Sequence, residues 1–304
     1  MLVQEEKKRS DDKLESIREV FEMWNHNLQD GYAPSSCMTV DEQLVSFRGH
    51  CPLWVYIPSK LGKYRIKIWA TCDSETSYTW KMQIYTRKDP VKGGGDLVKE
   101  LEIIGRNITC DNFFTSLGLA RELLSKKTVL GGTIRKNRVE LPSASTNGKE
   151  INNTIFGFRK DSMILSYCPK KNYVVIFMST MHSQPSIDSK SAEKKLEVTT
   201  CYNKTKGGVD TLDKMVRTYT CKRMTRRWHV VIFYNMTDIS AVNVFIVAKQ
   251  IHLQSFKDKR SENLIQLGKE LAGVNAKQEQ DKQSSSSANI SQPNKKRTQT
   301  STSF

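Results

Sequence analysis

Two hydrophobic periodicities run along this chain, and the places where one gives way to the other divide it. Within residues 10–27, Leu14, Ile17, Val20, Phe21 and Trp24 recur at helical spacing behind Ser10, Asp11 and Asp12, which suit an N-cap. The pattern predicts a helix with one apolar face, either the end of a larger helical region or a helix that docks on the main domain. Tyr32-Ala33-Pro34-Ser35-Ser36 breaks it. Strand-like runs follow at 38–47, 53–57, 63–70 and 78–85. In the third, Lys63, Arg65 and Lys67 alternate with Tyr64, Ile66 and Ile68, giving one basic and one apolar face. A turn at Gly93-Gly94-Gly95 leads to a predicted helix over 96–103. A strand over 106–110 then carries Asp111 at its end, followed by a helix over 116–125 and a strand over 128–133. Strands first, then strand and helix in alternation, predict an α/β fold with a mixed sheet and helices on its faces.

The texture changes between 136 and 195. Polar, turn-rich sequence surrounds two strand-like runs, 162–168 and 173–178, which form a predicted hairpin across Pro169-Lys170-Lys171-Asn172. This segment is expected to be an insertion with its own small sheet. From Lys206 a helix carries Asp210, Asp213 and Met215, and a longer one covers 228–253. The long apolar stretch in that last helix is interrupted by Asn235, Asp238 and Asn243, which fits a buried core helix rather than a membrane span. After Gly273 the residues are mostly Gln, Ser, Lys, Asn and Thr, with too little apolar surface to offset ordering entropy, so a disordered tail is expected. The expected division is therefore a helical segment (1–35), an α/β domain in two parts (36–135 and 197–255), an insertion domain (136–196), and a helical stub with a basic, Ser-rich tail (256–304).

Composition narrows the partners. The chain has 304 residues, with 48 Lys plus Arg against 32 Asp plus Glu, a formal net charge of +16 and a sequence pI near 9.5. Such a surface attracts polyanions. The opening MLVQEEKKRSDDKLES is neither an apolar signal segment nor a spanning helix, so nucleic acid is favoured over membrane. Seven cysteines, an odd number with no C-x-x-C pair, indicate neither a disulfide scaffold nor a zinc finger. A reducing compartment, cytoplasm or nucleus, is expected. Pro293-Asn294-Lys295-Lys296-Arg297 has the character of a segment read by nuclear import receptors, although short basic clusters also arise by chance. Five scattered histidines lack metal-ligand spacing, and the triple glycine lacks the Lys-Ser/Thr of a phosphate loop.

Four aspartates in three separate places carry the candidate chemistry: Asp41 in TVDEQL, Asp111 in NITCDNFFTS, and Asp210 with Asp213 in KTKGGVDTLDKM. Mg²⁺ takes hard oxygen ligands, usually one or two carboxylates per ion plus water and phosphate oxygens, so such a set could hold a pair of ions. Asp210 and Asp213, three apart on a helix, share a face. Spacing alone leaves other roles open, because an Asp at a helix start often caps it and an Asp at a strand end often forms a turn. Gly207-Gly208 would let the backbone turn tightly into the helix, or permit close approach of DNA or a neighbouring strand. Lys222, Arg223, Arg226 and Arg227, followed by Trp228, form a basic cluster with an aromatic. It is read as a DNA contact, the alternative being a solvated loop with Trp228 buried in the next helix.

From about Trp24 to Leu253 the sequence resembles the piggyBac transposase family, including its domesticated members. The resemblance rests on MTVDEQLVSFRG, PSKLGKYRIKIW, CDS, NITCDNFFTS, GGTIRKNR, YNKTKGGVDTLDKM and TRRW, in that order. It implies an RNase H-like catalytic domain interrupted by a small β-containing insertion domain. It also implies catalytic aspartates at Asp41, Asp111 and Asp210, a fourth metal-site aspartate at Asp213, and two Mg²⁺ ions with Mn²⁺ as substitute. The implied partner is double-stranded DNA: nicking at transposon ends, hairpin formation and joining at TTAA sites, with a homodimer and nuclear location as further expectations. The sequence departs from the family in lacking cysteine after Cys221, where active relatives carry a zinc-binding module, and in having His229 where Arg-Trp-Pro is usual. The alternative expectation is therefore a domesticated, catalytically silent nuclear DNA-binding protein.

Overall fold

The computed structural model describes residues 12–59, 62–86, 98, 105–146, 150–151, 153–186, 196–251 and 259–273. The predicted helix over 96–103 lies, Val98 apart, outside them, as do the tail beyond 273 and its 293–297 cluster. Contacts divide the chain into two units, 1–247 and 248–304. In the second, residues 260–273 are helical.

Helix α1 (Arg18–Asp30) is the first among the described residues of the first unit. Asp12 turns the chain towards it, its Oδ1 accepting the Leu14 N–H at 2.9 Å while the Arg18 guanidinium pairs with the same carboxylate. Leu14, Ile17, Phe21 and Leu28 are buried. Of the two expectations for this helix, docking on the main domain is the one seen.

The sheet strands are β1 (Cys37–Ser46), β2 (Trp54–Tyr56), β3 (Tyr64–Asp73), β4 (Thr79–Ile84), β5 (Asn107–Cys110), β6 (Val129–Ile134), β7 (Thr154–Phe158), β8 (Met163–Lys170) and β9 (Tyr173–Ser179). They form one sheet in the order β2-β3-β1-β5-β6-β9-β8-β7, with β4 also pairing β3. β1 runs antiparallel to β3 and parallel to β5, and β5 runs parallel to β6. The expected mixed sheet is present. The separate small sheet expected in the insertion is not, because β9 pairs antiparallel with β6, from Gly131↔Ser179 to Ile134↔Ile176, and so extends the central sheet. Had the insertion kept to itself, the buried strand β6 would have been left with unpaired backbone groups on that edge.

Helices cover both faces. On one, Met38, Val40, Ile108, Cys110 and Leu130 pack with Leu119, Ala120 and Leu123 of α2 (Leu117–Ser125), whose first turn is capped by Ser116 Oγ accepting the Leu119 N–H. On the other, Ile66, Ile68, Ala70 and Cys72 pack with α1, α4 (Gly208–Thr218) and α5 (Trp228–Ile251). Helix α3 (Glu197–Thr205), which the periodicity does not foretell, precedes α4. Alternation along β1 and β3 therefore feeds two cores at once, each fully buried Ile or Leu contributing about 1.5–3 kcal/mol.

Helix α5 is long and apolar enough to cross a membrane, but its Val231, Ile232, Met236, Ile239, Val242 and Ile246 are buried in this core. The three polar residues that interrupt it are buried and bonded. Asn243 donates to the Thr79 carbonyl and accepts the Thr79 N–H, both at 2.9 Å. Asn25 of α1 makes the same paired contact with Met82. Two side-chain amides thus occupy outward backbone groups of β4, which as an edge strand would otherwise offer them to another chain. Replacing Asn243 with Leu should cost roughly 2–4 kcal/mol, because a buried N–H and C=O lose their partners together. Urea unfolding would measure it, and a loss under about 0.5 kcal/mol would show that the clamp does not hold the edge.

Candidate active site

Residues Asp41 and Asp111 come together through strand register. Val40 of β1 stands opposite Cys110 of β5 in the last pair of the ladder; Asp41 is the next residue of β1, and Asp111 follows directly on the end of β5. Val40 and Cys110 face the α2 core, so Thr39 and Thr109, one residue earlier, face the other way. There Thr39 Oγ1 donates to the Thr205 carbonyl, and the Thr109 and Thr205 hydroxyls lie 2.7 Å apart. Alternation puts Asp41 on this same face, towards α3 and α4.

Helix α4 brings the other two acids. Its first residue must be small: a Cβ on Gly208 would lie 2.7 Å from Thr39 Oγ1 and 3.3 Å from the Asp73 carbonyl. Of the roles open to Gly208, close approach to a neighbouring strand is the one realised. Asp73 itself is fully buried, its carboxylate accepting N–H bonds from Ser35, Glu75 and Thr76. Asp210 lies in the first turn of α4 and is exposed; Asp213, one turn on, is less so.

The carboxylates feel one another. Burial pushes the Asp41 carboxyl up to about 6 despite the Glu42 N–H it accepts at 2.7 Å, and the charges of Asp111 and Asp210 add to the rise. Burial also raises Asp111, against the Phe113 N–H that its Oδ1 accepts at 2.9 Å. The turn-forming role left open for Asp111 is therefore real, and it coexists with proximity to Asp41. Asp213 is raised by burial too, opposed by hydrogen bonding from Gln43 and by Arg217 at 3.2 Å. Gln43 in turn accepts from Asn235 of α5 at 2.8 Å. Gln43 does not stand out in sequence, although Thr39, Asp41 and Gln43 form a polar stripe on one face of the strand; Asn235 is visible there only as an interruption of an apolar run.

Among the described residues, no three of His, Cys, Asp and Glu are gathered closely enough to hold a metal ion. The donor chemistry does fit a divalent cation. The acids offer only hard carboxylate oxygens, and burial with neighbouring negative charge opposes ionisation of Asp41, Asp111 and Asp213, which a bound cation would relieve.

Beyond α4, residues 219–227 run without regular structure to α5. Arg223, Arg226 and Arg227 are exposed, whereas Lys222 Nζ donates to the Ser46 carbonyl at 2.6 Å. Trp228 packs partly buried against the α5-side core, with its ring edge-on to His229, so for the ring the bland alternative holds. The basic face expected on β3 is not a free one. Arg65 is 9% exposed and donates to the Gly62 and Leu44 carbonyls, and Lys67 pairs with Glu42 at 2.5 Å and lies 4.5 Å from the Phe113 ring centre. Alternation identified a shared face; it could not show that loops and neighbouring strands cover it.

A family model described as Transposase IS4 matches residues 2–245. Among solved structures, the chain is similar to one described as the cryo-EM structure of piggyBac transposase synaptic complex with hairpin DNA. The TM-score is 0.78 at 35% sequence identity, over 84% of this chain and 56% of that one. The chain thus spans little more than half the length of that relative, and the two share the mixed α/β catalytic fold.

A folded-state pKa near 6 against about 3.9 unfolded means that the folded protein holds the Asp41 proton more tightly. That stability is present below about pH 4 and is lost as pH rises through 6, up to about 3 kcal/mol. Asp41→Asn should therefore flatten the fall in stability between about pH 4 and 7 in metal-free buffer, followed as the urea midpoint against pH. An unchanged profile would contradict the electrostatic reading. Gly208→Val should push α4 off β1 and so disturb Asp210 and Asp213; a variant as stable as the parent, by thermal unfolding, would deny the close contact.

Proposed function

Because this chain belongs to the IS4-type transposase family and, within it, to the piggyBac transposases, we propose that it acts on DNA by metal-dependent phosphoryl transfer. The observation that carries the reading is the common sheet face where Asp41 feels the charges of Asp111 and Asp210, and Asp213 that of Asp210. The proposed steps are nicking at transposon ends, attack of the freed 3′ hydroxyl to form a hairpin at the flanking TTAA, and joining to a new TTAA. In each, an oxygen nucleophile forms a bond to phosphorus, the opposite P–O bond breaks, and the leaving oxygen takes a proton.

Asp41, Asp111 and Asp210 would hold the divalent cations, two Mg²⁺ with Mn²⁺ as substitute, and Asp213 would support them. Bound there, the ions would sharpen the attacking oxygen and stabilise the leaving one. The protein's own contribution is orientation. The register of Val40 with Cys110 would bring the residues that follow them, Asp41 and Asp111, to the same side of the sheet, and Gly208 would let α4 lie close enough to add its acids. Asp213 is tethered by Gln43 and Arg217. Arg223, Arg226 and Arg227, with Lys222 at their root, would neutralise phosphates of double-stranded DNA. Trp228, partly buried, would contribute mainly by seating the start of α5. A homodimer on DNA and a nuclear location complete the proposal, the latter supported by the basic 293–297 cluster in the sequence.

A second reading is a domesticated protein that binds DNA without cutting it. It is motivated by the departure from the family's sequence pattern at His229, where Arg-Trp-Pro is usual. A pre-nicked TTAA hairpin oligonucleotide, titrated with MgCl₂ or MnCl₂, separates the two. Cleavage is expected, and Asp111→Asn should reduce it about a hundredfold or more, as losing one preorganised charge-stabilising contact typically does. Salt-sensitive binding with no cleavage in either metal would leave the second reading standing.

A further inference from the structure

Asp238 is the only acid in α5, and only 7% of it is exposed. A carboxylate in such a place is unfavourable unless hydrogen bonds replace its water. The two bonds that replace it both come from the segment leaving α4. Asp238 Oδ2 accepts the Thr220 hydroxyl at 2.5 Å, and Oδ1 accepts the Cys221 N–H at 2.8 Å. Thr220 Oγ1 then accepts the Lys222 N–H at 3.1 Å. Lys222 Nζ reaches the carbonyl of Ser46, the last residue of the strand that carries Asp41. Residues 220–222 are thus tied on one side to α5 and on the other to β1, immediately before the exposed Arg223. Thr220, Lys222 and Asp238 line a cleft of about 180 Å³ together with Asp213 and Arg217, so the tie borders the carboxylate site.

We propose that Asp238 is a positioning residue for DNA binding: it latches the 220–222 turn so that Arg223, Arg226 and Arg227 are held out to the phosphate backbone beside the aspartates. The inference rests on the reading of those arginines as DNA contacts. It makes a prediction opposite in sign to simple electrostatics. Asp238 is negative and so is DNA, so charge alone says that removing it should tighten binding. The latch says that removing its acceptors should weaken binding, because the arginines lose their fixed positions and pay ordering entropy on contact.

The test is the affinity of the full 304-residue chain for a fluorescent TTAA-containing duplex, measured across a salt series. Asp238→Asn keeps an acceptor for the Cys221 N–H and an amide for Thr220 Oγ1 while losing the charge, and should bind as tightly as the parent or a few-fold tighter. Asp238→Ala loses both acceptors and should bind about tenfold more weakly, its log K against log salt shallower by about 1–3 as arginine–phosphate contacts are lost. Thr220→Val removes one arm, should give a smaller loss in the same direction, and decides the matter if Asp238→Ala does not fold. The triple variant R223A/R226A/R227A sets the full effect, and adding Asp238→Ala to it should change nothing further. If the triple variant binds weakly while Asp238→Ala and Thr220→Val bind like the parent, the latch is overturned and the arginine contacts stand. If the triple variant binds like the parent, the DNA reading of the arginines falls and the latch with it. A further loss in the combined variant would mark Asp238 as a general stabiliser instead.

Discussion

The contact between Gly208 and Thr39 is the constraint on which the rest of the site depends. A helix can approach a sheet this closely only where it lacks a side chain, and here the missing Cβ would stand 2.7 Å from Thr39 Oγ1. Because α4 begins at that glycine, its first turns follow the direction of β1. Asp210 and Asp213 then lie along the stripe that Thr39, Asp41 and Gln43 make on the strand. Any larger residue would lift the start of the helix, and the lift would be felt at the acids within the next two turns. The hydroxyl that Gly208 accommodates is itself engaged, bonded to the Thr205 carbonyl at the end of α3 and to Ser74. The approach is therefore fixed by a hydrogen-bond network rather than by apolar packing alone.

This seam sets function against stability. On one side of β1 the strand spends Met38 and Val40 on an apolar core, and on the other it presents a polar stripe to three helices. Where the stripe meets neutral partners, as at Thr39 and Gln43, hydrogen bonds satisfy it. Where it meets other acids, burial and repulsion raise the cost of ionisation. Such a cluster at the centre of the sheet costs stability, a local conflict of the kind that local propensity and apolar packing do not call for.

Much of this was legible in the sequence because it depends on local periodicity. The strands of the first half, the helix carrying Asp210 and Asp213, and the buried nature of α5 all follow from spacing and from the three polar interruptions in an apolar run. What was not legible depends on partners distant in sequence. Nothing in 173–179 says that this strand will pair with β6 rather than close a sheet of its own. Nothing in the alternation of Arg65 and Lys67 says that Leu44, Gly62 and Glu42 will bind them. Helix α3, EVTTCYNKT, is rich in β-branched and polar residues of modest helix propensity, and tertiary contacts through Val198 and Thr205 override that preference. At the site, spacing alone paired Asp210 with Asp213, and joining them to Asp41 and Asp111 rested on the family resemblance. Register sets Val40 opposite Cys110, just before Asp41 and Asp111, and register belongs to the sheet.

Helix α5 shows how one element can serve three ends. Its apolar residues fill the core beneath β1 and β3, which accounts for its hydropathy. Its polar residues each reach a different part of the structure: Asn235 holds Gln43 beside Asp213, Asp238 holds the start of the basic segment, and Asn243 occupies the outward edge of β4. A buried polar group that merely tolerated its surroundings would cost stability and give nothing back. Each of these three instead fixes an element that apolar packing, being non-directional, would leave free to slide. The strand bearing Asp41, the segment that leads to the arginines and the sheet edge are therefore all tied to a single helix, by the residues that at first reading looked like blemishes in its hydrophobic run.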